Sequence, residues 1–201
     1  MTEHLHTPTN PNGLALVLTH GAGANAQSPL LIKTAEAFTA AGFFVLRYNL
    51  PFRQRKPFGP PSPSTAAQDR EGLRDAVNRM QQFASNICLG GHSYGGRQAS
   101  MLAAEDPTLV KALLLLSYPL HPPKKPTQLR TAHFPQLLTP ALFLHGSKDE
   151  FGTPAEMANA LALIPAQTRL QIVEGAGHDL MKGAFNIPEL GVSLFLQLLA
   201  S

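Results

Sequence analysis

A chain of 201 residues with 44% hydrophobic and 14% charged residues is long enough to bury a full core and too apolar to remain disordered. No apolar run reaches the length of a bilayer span, and a single cysteine excludes an internal disulfide. The net charge of +3 comes from scattered residues, with small clusters only at Arg53/Arg55/Lys56 and Lys124/Lys125 and no aromatic-interleaved basic strip. It reads as a solvated face and not as a nucleic-acid surface, with attraction of an anionic substrate as the alternative.

Taken in order, residues 1–13 are polar, rich in Pro, Asn and Thr, and read as an extended lead-in. They have neither the basic start nor the apolar core of a signal peptide, which points to the cytoplasm. Leu14-Ala15-Leu16-Val17-Leu18-Thr19 is a buried strand that breaks at the glycine loop His20-Gly21-Ala22-Gly23-Ala24-Asn25. Residues 28–41 form a helix between Pro29 and Gly42, and 43–48 the second strand. The proline-heavy stretch 51–63 reads as irregular. A helix over 65–83 carries Ala66, Leu73, Ala76, Val77 and Met80 on one apolar face. Strands follow at 86–89, where Cys88 is a small core residue, and at 110–118, 140–145 and 169–173. Helices are expected at 97–105, 155–163 and 189–199.

Strands that are apolar on both faces and alternate with helices predict a single-domain α/β fold over 1–201, with about six parallel strands covered on both sides. No Gly-Lys-Ser/Thr follows a glycine turn, which excludes a P-loop. A dinucleotide fingerprint fails because Ala26 stands where its third glycine belongs.

Between the strand at 86–89 and its helix lies Leu89-Gly90-Gly91-His92-Ser93-Tyr94-Gly95-Gly96, containing Gly91-x-Ser93-x-Gly95. A serine on such a turn is held in a strained conformation at the carboxyl edge of the sheet, and the helix behind it favours developing negative charge. Such a nucleophile needs a histidine base and an acid to orient it, in the chain order nucleophile, acid, base. Between Asp106 and Asp149 there is no Asp or Glu. Asp149, directly after a strand, is the best acid, with Glu150 as its rival; Glu156 serves a helix start and Glu174 a strand end. Of eight histidines only His178 follows Asp149, on the glycine-rich loop after the last strand. The oxyanion donors are expected at the backbone N–H groups of Tyr94 and Ala22, with Gly23 as the alternate and a small residue a substrate can approach. No His/Cys/Asp cluster has ligand spacing, so neither metal nor cofactor is expected.

His20-Gly21-Ala22-Gly23, Gly91-His92-Ser93-Tyr94-Gly95-Gly96, Leu144-His145-Gly146-Ser147-Lys148-Asp149 and Gly175-Ala176-Gly177-His178 together resemble the α/β-hydrolase superfamily. The chain looks most like its small lidless branch related to dienelactone hydrolase. Tyr118-Pro119-Leu120-His121-Pro122-Pro123 and Asp149-x-Phe151-Gly152-Thr153 are similar to bacterial predicted hydrolases related to the hydrolase-like domain of a chromatin-associated NSL-complex subunit. The resemblance implies a sheet ordered 4-3-5-6-7-8 with the usual first two strands missing. The segment 119–139 is too short for a helical lid, so the site should be open. Dienelactone hydrolase has a cysteine nucleophile where this chain has serine, so its substrate does not transfer. The resemblance places Tyr118, His121, Lys124 and Arg130 along the substrate groove. Arg47, Arg53 and Arg55 follow another strand end; all these charges read as solvated unless a substrate anion meets them. Phe52, Phe58, Phe134 and Met181 either line an acyl pocket or cover the core.

The expected activity is a serine hydrolase acting on a small carboxylic ester or thioester, with Ser93 as nucleophile, His178 as base and Asp149 as its orienting acid. A non-catalytic interaction module and a peptidase on the same triad are the competing readings. The partner is a small molecule, with no nucleic acid and no membrane; the sequence leaves oligomeric state open.

Overall fold

Apolar stretches that carry hydrophobic side chains on both faces must be covered on both faces, and they pair into one sheet in the computed structural model, which describes residues 4–183 and 185–201. Its strands are β1 (His4–His6), β2 (Leu14–Thr19), β3 (Phe44–Tyr48), β4 (Asn86–His92), β5 (Leu113–Leu116), β6 (Ala141–Gly146) and β7 (Thr168–Val173), in the order β1-β3-β2-β4-β5-β6-β7. The six strands from β2 onward are parallel, in register from Leu14 opposite Asn86 to Gly146 opposite Val173. Helices α1 (Pro29–Ala40) and α6 (Ile187–Ala200) cover one face, where Phe38 packs edge-on against both Phe43 and Phe195. Helices α3 (Ala66–Met80), α4 (Tyr94–Glu105) and α5 (Pro154–Leu161) cover the other. Each fully buried Phe or Leu in these layers contributes about 1.5–3 kcal/mol from apolar area removed from water.

The sheet differs from expectation at its first edge. Leu5 pairs with Leu46 in an antiparallel strand outside β3, so the lead-in supplies a seventh strand, and one edge strand stands where the resemblance implied that two were missing. Residues 1–3 of the lead-in lie outside the described residues. The stretch expected to be irregular opens with a short helix, α2 (Pro51–Arg55), because Pro51 presets the helical φ at its first position and the N–H groups of Arg53 and Gln54 both donate to Leu50 O. β5 is shorter than its apolar run, since Ser117 turns the chain at φ 48. Between β5 and β6 the chain makes only one 3-10 turn, Phe134–Gln136, and no helix stands over the site there.

A parallel sheet delivers every strand's carboxyl end to one edge. The loops after β2, β4, β6 and β7 therefore meet, although their residues lie far apart in the chain.

Candidate active site

At the head of α4, Ser93 has φ 51 and ψ −117, a backbone conformation that side chains avoid and that the surrounding contacts must enforce. A Cβ on Gly91 would stand 2.8 Å from Gly95 C, and one on Gly95 would stand 2.6 Å from His20 O, so the turn can be this sharp only with glycine at both positions. Ser93 N–H donates to Leu116 O at 2.9 Å, which ties the turn to β5. Ser93 Oγ then lies 2.8 Å from His178 Nε2. His178 Nδ1–H donates to Asp149 Oδ2 at 2.8 Å, leaving Nε2 to accept from the serine hydroxyl. Asp149 is buried, and its other oxygen accepts from Phe151 N–H at 2.9 Å. Glu150, its rival in the sequence, is exposed.

The His178 ring is clamped by its neighbours. The Phe151 ring lies 4.2 Å from the imidazole, tilted by 30°. His92 Nε2–H donates to His178 O at 2.8 Å; burial lowers His92 to about 4, so it stays neutral and keeps that donor. Ser147 Oγ donates to Glu174 and accepts from Gly175 N–H, joining the loop of Asp149 to the loop of His178.

The first glycine loop is held from outside. The buried Arg53 guanidinium donates to Ala22 O at 2.7 Å, Ala24 O at 2.8 Å, Gly59 O at 3.0 Å and Lys56 O at 3.1 Å. This cation therefore neither meets a substrate nor sits in solvent; it fixes the Ala22 loop against 56–59. His20 Nδ1–H donates to Gly21 O, and Nε2 accepts from Leu50 N–H. Burial lowers this histidine to about 4 as well. Asp69 Oδ2 accepts from the Tyr94 hydroxyl at 2.8 Å and Oδ1 from Phe52 N–H at 2.9 Å, while desolvation raises its pKa. Ala22 and Tyr94 thus flank Ser93, and the N–H of Tyr94, as the first residue of α4, has no preceding helical turn to bond.

A cavity of about 360 Å³ opens beside Ser93. Ala22, Tyr94 and Phe151 line it next to the serine; Arg97, Pro119 and Arg130 form one wall, and the run Pro60-Pro61-Ser62-Pro63 with Ala66 forms the other. Among the groove residues implied by resemblance, Arg130 is in place. Tyr118 and His121 are not: both are buried beneath the wall. The Tyr118 hydroxyl donates to Arg130 O at 2.6 Å, and its ring packs on Phe134 and Phe143. His121 Nδ1–H donates to Pro122 O. Gly23 is exposed and off the cavity, so the loop turns Ala22 and not Gly23 toward the serine. Phe52 and Phe134 belong to the core, Met181 packs on the core face of α1 and α6, and Phe58 is 85% exposed. Arg47 is buried and bonded to His6 Nε2 and Ala26 O.

Sequence reasoning passed over Arg97, Phe151 and the proline wall. Arg97 had a readable signal, since it stands four residues after Ser93 on the same helical face. Cys88 is buried in β4, where burial pushes its thiol up to about 12 and keeps it inert. Among the described residues no group of three His, Cys, Asp or Glu side chains is placed to hold a metal ion, and no helix is long and apolar enough to cross a membrane.

Fold and site together define a small α/β hydrolase. Residues 12–184 match the alpha/beta hydrolase domain family, and the chain belongs to it. Its fold is shared by Est1E from Butyrivibrio proteoclasticus, solved with ferulic acid bound, at TM-score 0.81 and 17% identity over 100% of this chain and 96% of that one. It is likewise similar to a dienelactone hydrolase from Anabaena variabilis, at TM-score 0.75 and 23% identity over 97% and 90% of the two chains. A monoacylglycerol lipase from Paleococcus ferrophilus superposes at TM-score 0.77 with 15% identity, over 100% of this chain and 99% of its own. These likenesses extend over whole chains and describe the fold of the small dienelactone-hydrolase-like members.

Proposed function

We propose that this hydrolase is a serine enzyme that cleaves small carboxylic esters or thioesters through an acyl-enzyme. One observation carries the reading: His178 bridges Asp149 Oδ2 and Ser93 Oγ at 2.8 Å on each side, with Ser93 strained at a helix N-terminus. Ser93 Oγ bonds to the substrate carbonyl carbon as its proton passes to His178 Nε2. The negative charge gathers on the former carbonyl oxygen, facing the N–H groups of Ala22 and Tyr94. Collapse breaks the bond to the leaving alcohol or thiol, which takes the proton from His178, and leaves acyl-Ser93. Water then attacks the acyl carbon, giving its proton to His178; the carboxylic acid departs and the proton returns to Ser93. Asp149 fixes the imidazole tautomer and stabilises the transient imidazolium. The cavity suits a small molecule, and esterase and lipase names among the fold's relatives support the ester class.

A fluorophosphonate probe followed by peptide mass spectrometry tests the reading. The expected result is an adduct on Ser93 that is lost in His178→Ala. Folded protein without an adduct overturns it and favours an interaction module.

A further inference from the structure

Arg97 and Arg130 line the cavity beside Ser93, and among the described residues neither guanidinium has a carboxylate within ion-pair distance. The nearby acids are engaged elsewhere: Glu105 with Arg70, Asp106 with Arg74, Asp149 with His178, and Asp69 with Tyr94 and Phe52. Arg130 gives one N–H to Pro119 O at 3.2 Å, and Arg97 Nε is shielded from solvent without a hydrogen-bond partner. The two cations also oppose each other. Arg130 is lowered first by burial and then by the charge on Arg97.

Two like charges converging on a concave wall, faced by prolines and Phe151, gain nothing from a neutral acyl chain. Each guanidinium offers a planar fork of donors that matches the oxygens of a carboxylate or phosphate, and the apolar walls strengthen that attraction by excluding water. Building on the serine-hydrolase reading, we infer that the substrate is an anionic ester or thioester whose carboxylate or phosphate binds Arg97 and Arg130 while its carbonyl lies at Ser93. Arg53 takes no part, since backbone carbonyls occupy its donors. This assigns the two arginines as specificity residues and supplies the free ligand charge that the acids of this chain do not.

The test measures kcat/KM for two matched pairs on the full chain: monoethyl succinate against ethyl butyrate, and 1-butyrylglycerol 3-phosphate against 1-butyrylglycerol. The wild-type protein is expected to prefer the anionic member of at least one pair about tenfold or more, as charge-assisted hydrogen bonds of this kind supply. The preferred pair tells a carboxylate substrate from a phosphate one. Arg97→Gln and Arg130→Gln should each collapse that preference, Arg97→Lys should retain part of it, and added salt should weaken it. Equal or inverted rates within both pairs in the wild type overturn the inference, and this measurement does not depend on any variant folding. A preference that survives both glutamine variants overturns it too. If Ser93 labels and the neutral esters turn over without any anionic preference, the hydrolase reading stands and the substrate class falls. If neither labelling nor turnover occurs, both fall.

Discussion

The two sides of Ser93 are built on opposite rules. On the side of Asp149 and His178 the groups that set proton positions are already bonded to one another, although the buried His145 Nδ1, 3.8 Å from Asp149 Oδ2, is not: Asp149 takes both Phe151 N–H and His178, His178 O takes His92, and Ser147 joins the two loops. On the side of Arg97 and Arg130, two guanidinium groups line the cavity with no carboxylate partner, and Arg97 Nε is left without a hydrogen bond. On the proposed reading, the contrast separates what must stay fixed before a substrate arrives from what is completed by it. Preorganised catalysis requires groups already oriented, whereas recognition requires groups still able to bond.

Substitutions on the side of Asp149 and His178 break the comparison most severely. Ser93→Ala is expected to lower kcat/KM for a neutral ester by about ten-thousandfold or more, measured against a folded control. Asp149→Asn should follow at roughly a thousandfold to ten-thousandfold, since the amide cannot hold the same imidazole tautomer. Glu150→Gln, at the exposed neighbouring position, should stay within about twofold, and a large loss there would move the acid by one residue. Arg53→Met should release the Ala22 loop and lower kcat more than it raises KM, by about tenfold to a hundredfold, because a displaced N–H costs stabilisation chiefly in the transition state. A change confined to KM would instead make Arg53 a binding group.

The mildest effect is on stability. His20, His92 and His133 are each lowered from 6.5 to about 4, with burial as the first cause. Below 6.5 the unfolded imidazoles gain protons while the folded ones stay neutral. The part of the stability that these histidines control should therefore fall as pH drops from about 6.5 to about 4, and the lowered carboxyls of Asp106, Glu156 and Asp179 continue the loss at more acid pH. Thermal melts across this range read the slope, and His92→Gln should flatten it. Asp69, raised by burial, opposes the trend at its acid end.

Ser93, Asp149 and His178, which lie within hydrogen-bond reach of one another, were legible as candidates because each announces itself locally: glycine around a serine, an acid-free stretch before Asp149, one histidine after it. The walls were not, because they depend on which way a side chain turns. Tyr118 and His121 follow a strand end, yet the left-handed Ser117 breaks the two-residue alternation and sends both beneath the surface. Ala66, on the apolar stripe of α3, reaches the cavity from the end of its helix, while Asp69 in the same helix is fully buried. β1 is three residues, His-Leu-His, too short and too polar to carry a pattern. The proline run 60–63 read as irregular because prolines hide periodicity, although their rigidity suits a wall.

The hydrogen bonds of His178 to Ser93 and Asp149 join residues 85 and 29 positions apart across the carboxyl edge of a parallel sheet. Contacts of such long sequence separation close late in folding, after loop-closure entropy has been overcome. The loop carrying His178 is held to the loop of Asp149 by bonds such as Lys148 N–H to Ala176 O, directly beyond the paired β6 and β7. On the proposed mechanism, a ribosome-bound chain that has emerged only through β4 and α4 carries Ser93 without His178, so a nascent molecule would be chemically silent until nearly its whole length has folded.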